Sequence, residues 1–294
     1  MSNKAKKINN SQTKDAFSSV VLGSIVKRLQ DQELNKEEAT AIGRYYSLDV
    51  PKKMYRYRPE GQREIDAIKN CKVWFSLLSE LNDPFESNFK VDARSIIAVD
   101  NDLQRKMNSV SFVQQQQFIK KALENVDYDG FYRDILSNYT IACFSEINNS
   151  LLMWGHYSSG HRGICVEYDT LELGSNSSKV VIPVTYTEKL PALTTINEVK
   201  IMFSFLQIMR TKSSDWSYER EWRCIQDVSA CGDNLTAKGA LLDSSAPTAV
   251  YVACKADEAL IESLKAICTD SLNIPLYKMI KSNDEYKLIP KLII

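Results

Sequence analysis

The 294-residue sequence predicts an α+β fold with mixed or antiparallel central sheets. Three observations lead there. Strand-like runs rich in Val, Ile, Tyr, Phe and Trp dominate the middle of the chain, and helical spacings are inserted between them without regular alternation. No Gly-x-Gly-x-x-Gly occurs, which argues against a doubly wound dinucleotide domain. The apolar share of 44% and charged share of 25% are those of a globular chain long enough for a sizeable core.

Taken in order, residues 1–14 read as a disordered tail of Ser, Asn, Lys and Gln. Phe17, Val20, Val21, Ile25, Val26 and Leu29 then recur at helical spacing, and a second short helix is expected over Lys36–Tyr45. Together they make a helical arm over 15–50 that packs on the main domain or docks a partner. A single domain follows over 51–294. It opens with a strand over Met54–Arg58, ended by Pro59-Glu60-Gly61, then a helix from Gln62 to Asn70 and a strand over Lys72–Ser76. Asn82-Asp83-Pro84 reads as a loop starter, because both polar side chains can bond the backbone ahead. A helical insertion is expected over 100–137, with Leu103, Met107, Phe112, Phe118, Ile119, Leu123 and Leu136 as anchors. Beyond it come a strand from Tyr139 to Glu146, a helix over Ser150–Tyr157, and a turn at Ser159–Gly163. Strands at 164–168 and 180–186, a helix over Asn197–Arg210, and a strand from Trp216 to Gln226 follow. The last elements are a strand at 249–254, a helix at 256–268, and strands at 275–281 and near 286–290.

Composition narrows the function. With 37 basic and 37 acidic residues the formal net charge is zero, so no global field argues for nucleic acid or membrane, although a local basic patch stays open. Seven cysteines, none in a Cys-x-x-Cys pair, read as free thiols in a reducing cytoplasm. Two histidines, five residues apart, are too few for the common zinc sites. Neither a secretory signal nor a membrane span is visible, so a soluble cytoplasmic protein is expected. The P-loop and the Gly-x-Ser-x-Gly elbow are both missing.

Trp216-Ser217-Tyr218-Glu219-Arg220-Glu221-Trp222-Arg223 is the densest stretch of chemistry. As a strand it would put Tyr218, Arg220 and Trp222 on one face and Glu219, Glu221 and Arg223 on the other. The plain reading is an edge strand with self-satisfying Glu–Arg pairs. Other polar groups beside aromatics are Arg56, Tyr57 and Arg58; Asn82, Asp83 and Glu86; and Ser145, His156 and Tyr157.

The set Tyr55-x-Tyr57-Arg58, Phe75-Ser76, Asn82-Asp83-Pro84-Phe85-Glu86, Cys143-Phe144-Ser145-Glu146, Met153-Trp154-Gly155-His156-Tyr157, Gly163-Ile164-Cys165 and Trp216 to Arg223 resembles the bacterial domain-of-unknown-function family numbered 2971, over residues 54–290. The layout is also similar to the ADP-ribosyltransferases. That second resemblance implies an early strand carrying Arg56 and Tyr57, a central segment from Ser145 to His156 and Tyr157, and a late strand opened by a catalytic Glu221. It further implies NAD as substrate. A carboxylate beside the breaking nicotinamide–ribose bond stabilises developing positive charge. In that role Glu221 comes first and Glu219 second. Arg56, with Arg58 in reserve, would grip ribose and pyrophosphate through a planar fork. Tyr157 would stack on nicotinamide, with Ser145 bonding a ribose or amide. The function implied is a bacterial toxin or phage-defence effector that modifies a macromolecule, nucleic acid slightly ahead of protein, with an antitoxin as a further partner. Convergence of Arg56, Tyr157 and Glu221 on one cleft would raise this reading sharply, and dispersion of the three would end it in that form. Two other readings stand beside it: a nucleic-acid-binding defence module without NAD chemistry, and a Mg²⁺ nuclease using Asp83, Glu86, Glu219 and Glu221.

Overall fold

A computed structural model describes residues 50–91, 111–124, 130, 137–173, 179–193 and 206–294. The tail and helical arm expected over 1–49 lie outside them, as do most of the 100–137 insertion and most of the helix expected over Asn197–Arg210. In chain order the described elements are β1 (Lys53–Arg58), α1 (Gln62–Lys69), β2 (Lys72–Leu77), β3 (Lys90–Val91), α2 (Phe112–Glu124), β4 (Tyr139–Ser145), α3 (Leu151–His156), β5 (Ile164–Asp169), β6 (Lys179–Pro183), β7 (Thr185–Thr187), β8 (Ala192–Leu193), β9 (Thr211–Ser213), β10 (Glu221–Asp227), β11 (Gly239–Asp243), β12 (Ala249–Val252), α4 (Glu258–Ala266), β13 (Leu276–Lys281) and β14 (Leu288–Leu292). The class is α+β.

The chain divides into two compact units, one drawn from Met1–Ser76, Thr140–Pro183 and Ser217–Ile294, the other from Leu77–Tyr139 and Val184–Trp216. The larger unit carries a ten-stranded mixed sheet in the order β11-β2-β4-β1-β5-β12-β13-β14, with β10 joining β4 to β6. Pairing is antiparallel from β1 to β5 and from β5 to β12, and parallel from β12 to β13, where α4 supplies the crossover. The smaller unit holds α2 and two parallel two-stranded pairs, β3 with β8 and β7 with β9.

Strand alternation sorts the large sheet into two faces. Met54, Val73, Phe75, Phe144, Val166, Trp222 and Val250 point to one face, where α1 (Ile68) and α4 (Leu260, Ile261, Leu264) cover them. Tyr57, Cys165, Ala249, Tyr251 and Met279 point to the other, where Met153 and Trp154 of α3 pack. β5 is buried from Ile164 to Tyr168 because both of its faces are covered, which is why its sequence there is apolar but for Glu167. Gly163, at its entrance, lies against the chain leaving β1: a Cβ there would sit 2.3 Å from the Arg58 carbonyl oxygen.

Two expectations change in detail. The strand expected over Trp216–Gln226 starts only at Glu221; Ser214–Glu219 is a 3-10 helix, and Arg220 between them has φ 46°. A left-handed residue cannot continue a strand, so Glu219 and Glu221 do not share a face by alternation. The strand expected over 180–186 is two, β6 and β7, one in each unit. Strand β11, which has no counterpart among the expected elements, pairs with β2.

Candidate functional site

The helix α3 is fixed over the sheet by its approach loop. Ser150 caps it, accepting from the Met153 N–H at 3.3 Å. The Trp154 indole N–H donates to the Asn148 carbonyl at 2.7 Å, and the Tyr57 hydroxyl donates to the Ile147 carbonyl at 2.8 Å. Tyr57 stands edge-on to Trp154, centroids 5.2 Å apart. These contacts set the C-terminal end of α3, with His156 and Tyr157, above the end of β4.

At that corner two segments are hydrogen-bonded together through residues 62 to 76 positions apart in sequence. The Ser145 hydroxyl donates to the Glu219 carbonyl at 2.6 Å, and the Glu146 N–H to the Arg220 carbonyl at 3.1 Å. The Trp222 indole donates to the Glu146 carboxylate at 2.8 Å. The Tyr157 hydroxyl donates to the Glu219 carboxylate at 2.6 Å, and the His156 Nδ1 lies 3.0 Å from the Tyr218 hydroxyl. Glu219 is buried, Tyr157 and Tyr218 are half-buried and His156 is exposed. At 2.6 Å the bond is on the short side for O–H···O, so the phenol and carboxyl group are held together.

Glu221 opens β10 and turns to the same side as Ser145, because Trp222 and Cys224 take the opposite one. Its carboxylate pairs with Arg223, Nε at 2.9 Å and the terminal nitrogen at 3.3 Å, with both side chains buried. Strand spacing makes this pair: residues i and i+2 are neighbours on one face.

Arg56 is not brought to this corner. It alternates with Tyr55 and Tyr57 and therefore lies on the α1 face, where it donates to the Trp74 carbonyl at 2.5 Å and stands 5.5 Å from the Phe144 ring centroid. Burial, with the Arg58 guanidinium beside it, pushes its pKa down to about 10. The cavity there is about 20 Å³, enough for a water and far below the size of a nucleotide. Arg58 forks onto Glu64 of α1 at 2.8 and 2.7 Å. Burial alone would raise the Glu64 pKa; the Arg58 hydrogen bonds and charge more than offset it and hold Glu64 below its ordinary value. Asp83, in the smaller unit, accepts from the Phe85 N–H at 2.9 Å, the turn expected of Asn82-Asp83-Pro84.

Sequence reasoning missed Glu167. It is buried on the Tyr57 face and accepts from Tyr251 at 2.7 Å and Thr248 at 2.9 Å, with the Lys53 ammonium at 2.7 Å. Burial would raise its pKa, but the hydrogen bonds from Lys53, Tyr251 and Thr248 and the Lys53 charge outweigh it. Burial first, and Glu167 second, keep the Tyr55 hydroxyl protonated well above its ordinary range. The Tyr251 ring stacks on Tyr277 at 4.9 Å and meets Tyr55 edge-on at 6.1 Å. A lone acid inside Ile164-Cys165-Val166-Glu167-Tyr168 was the available signal. Among the described residues, no group of three or more His, Cys, Asp or Glu side chains is placed to hold a metal ion. None of the described helices is long and apolar enough to cross a membrane.

Residues 153–224 match the model of a family described as a protein of unknown function (DUF2971). The matched stretch runs from α3 into β10, so it contains Tyr157, Glu219, Glu221 and Arg223; the Tyr55–Arg58 and Asn82–Glu86 motifs lie outside it. No curated protein and no solved structure matches the chain.

Proposed function

We propose that the Tyr157–Glu219 corner is the nicotinamide–ribose site of an NAD-dependent ADP-ribosyltransferase, a bacterial toxin or phage-defence effector working in the cytoplasm on a macromolecular acceptor. The observation that carries this reading is the 2.6 Å hydrogen bond from Tyr157 to Glu219. It holds an aromatic ring beside a buried carboxylate, the two groups that stacking on nicotinamide and stabilising a cationic ribose centre require. Glu219 is only 3% exposed, so an incoming ring meets Tyr157 first. Ser145 holds the Glu219 backbone. In this reading Glu219, the acid that Tyr157 bonds, is the catalytic carboxylate, and Glu221, paired with Arg223, comes second. Arg56 has no part: it lies on the α1 face, so Arg56, Tyr157 and Glu221 do not converge as the sequence reading required, and the proposal is carried by Tyr157 and Glu219 alone.

The test is to incubate the protein with labelled NAD and cell extract. The wild type releases nicotinamide and labels a macromolecule, and Glu219→Gln lowers the rate by roughly 10²–10³. Arg56→Met labels as the wild type does. Sensitivity of the label to nuclease or protease identifies the acceptor, nucleic acid being slightly favoured, and an antitoxin would suppress labelling in the native extract. Absence of nicotinamide release from wild type ends the reading.

A second reading has its own observation. Tyr55 and Tyr277, both half-buried, pack on the buried Tyr251 on the same sheet face, and partly exposed aromatics are platforms for bases. It expects salt-sensitive binding of single-stranded nucleic acid with NAD left intact.

A further inference from the structure

At the other end of α3 the larger unit has a cleft of about 640 Å³, within the range of sites that take small organic ligands. Its apolar wall is made by Leu151, the first residue of α3, which is 38% exposed, with Cys254 and Leu288. Its polar wall comes from three separate places in the chain: His161 in the turn after α3, Lys255 just past β12, and Lys281 with Lys287 in the β13–β14 hairpin. Asp284 and Glu285 also line it, so lysines outnumber acids by three to two.

The acids do not neutralise the cleft. Glu285 reaches only Lys287, at 3.9 Å, and both side chains are more than half exposed, so this pair contributes little. Among the described residues, neither Lys255 nor Lys281 has a carboxylate within ion-pair distance. The Ser282 hydroxyl instead ties down the hairpin, accepting from the Asp284 N–H at 3.2 Å and the Glu285 N–H at 3.3 Å.

His161 is held in an unusual conformation beside those lysines. Its φ is 69°, the left-handed region that a residue with a Cβ enters at a cost. Its N–H donates to the Trp154 carbonyl at 3.0 Å, and its carbonyl accepts from the Lys255 N–H at 3.0 Å, which keep it there. The ring Nδ1 is buried and has no hydrogen-bond partner. Burial first, then Lys255 and Lys281, hold its pKa below the ordinary histidine value, so the ring is neutral near pH 7. A neutral imidazole carries one ring N–H, and with Nδ1 buried it is Nε2 that would donate to an oxyanion that the lysines attract. At the hairpin tip the Tyr286 side chain is fully exposed while lining the cleft, an aromatic surface with nothing packed on it.

We propose that this cleft binds a nucleoside phosphate, with Lys255, Lys281 and His161 on the phosphate oxygens and Tyr286 against the base. Phosphate oxygens match an ammonium pair joined by one neutral donor, and a base stacks on an exposed ring. The volume accommodates one nucleotide. The inference does not rest on the reading of the Tyr157–Glu219 corner, since the two sites use different residues.

The experiment titrates ADP, inorganic pyrophosphate and adenosine into the full chain by calorimetry at two salt concentrations. Wild type is expected to bind ADP more tightly than pyrophosphate or adenosine, and less tightly at high salt. The Lys255→Ala/Lys281→Ala protein should lose roughly tenfold or more in ADP affinity, the size of a lost charge-assisted hydrogen bond. Tyr286→Ala should weaken ADP and leave pyrophosphate unchanged. These side chains lie at the surface, so thermal melting should be unchanged and the comparison is of folded proteins. Wild type that binds no ADP, or ADP affinity that is the same in the lysine variant, overturns the site; Tyr286→Ala that leaves ADP affinity intact overturns the nucleoside assignment. Glu219→Gln should bind ADP as wild type does, so loss of NAD turnover with ADP binding intact separates the two proposals.

Discussion

Arg56 and Tyr57 are consecutive residues of β1 that serve opposite faces of the large sheet: the guanidinium lies under α1 near Phe144, and the phenol meets Trp154 beneath α3. Pleating imposes this separation, and it divides a motif that reads as one functional unit in the sequence.

The first consequence concerns Arg56 itself. One of its terminal nitrogens is buried without a hydrogen-bond partner, and no carboxylate pairs with it among the described residues. Burying a charge without an opposite partner costs several kcal/mol, and replacing it by an apolar side chain of similar length removes that cost. Arg56→Met should therefore unfold in urea at the same or a higher midpoint. A clear fall in midpoint would mean that the bond to the Trp74 carbonyl outweighs the burial cost.

Glu221 and Arg223 should be strongly coupled. Removing either partner alone leaves a buried charge and should cost about 3–5 kcal/mol. The double replacement Glu221→Leu/Arg223→Met should cost much less than the sum of the singles in a double-mutant cycle. Additive effects would show that each residue is held by its other neighbours rather than by the pair.

Glu167 should make stability depend on pH in the acid range. Its folded-state value lies below the ordinary 4.5, so its contribution is complete above the unfolded value and is lost as pH falls through the folded one. At pH 7, Glu167→Gln should cost about 1–3 kcal/mol, as for a hydrogen-bonded charged group. The difference from wild type should shrink below pH 4.5. Because the Lys53 side chain is 57% exposed, Lys53→Met should cost no more than about 1 kcal/mol. Denaturant melts of the three proteins across pH 3–7 check both statements.

Gly163→Ala should destabilise the larger unit by about 1–3 kcal/mol or more, since its Cβ would overlap the Arg58 carbonyl oxygen and press on Pro59. Thermal melting reads this directly, and an unchanged midpoint would show that the β1 exit moves aside freely.

Most single elements of the larger unit were legible in the sequence. Alternation and turn residues located β1, α1, β2, β4, α3 and β5 to within a residue or two, because each has a local signal: a proline–glycine stop, a Ser cap or an apolar run. β11 was missed because Ala240-Leu241-Leu242 is too short to carry a period. The Trp216–Arg223 stretch misled because its composition alternates as a strand would, whereas the left-handed Arg220 breaks it. Of the candidate site, Ser145, His156, Tyr157 and Glu219 come together at one corner; Arg56 and Arg58 do not.

The sequence by itself determined the α+β class, the free-standing motifs and the residue types available for chemistry, since those follow from local periodicity and composition. Only the tertiary structure decided which motifs meet. Tyr157 reaches Glu219 through a loop pinned by Tyr57 and Trp154, contacts between residues roughly 60 to 100 positions apart. The cleft around His161 likewise exists only because the β12 exit and the β13–β14 hairpin fold back onto the turn after α3. Such long-range contacts have no period and no local signature, so no window of sequence contains them.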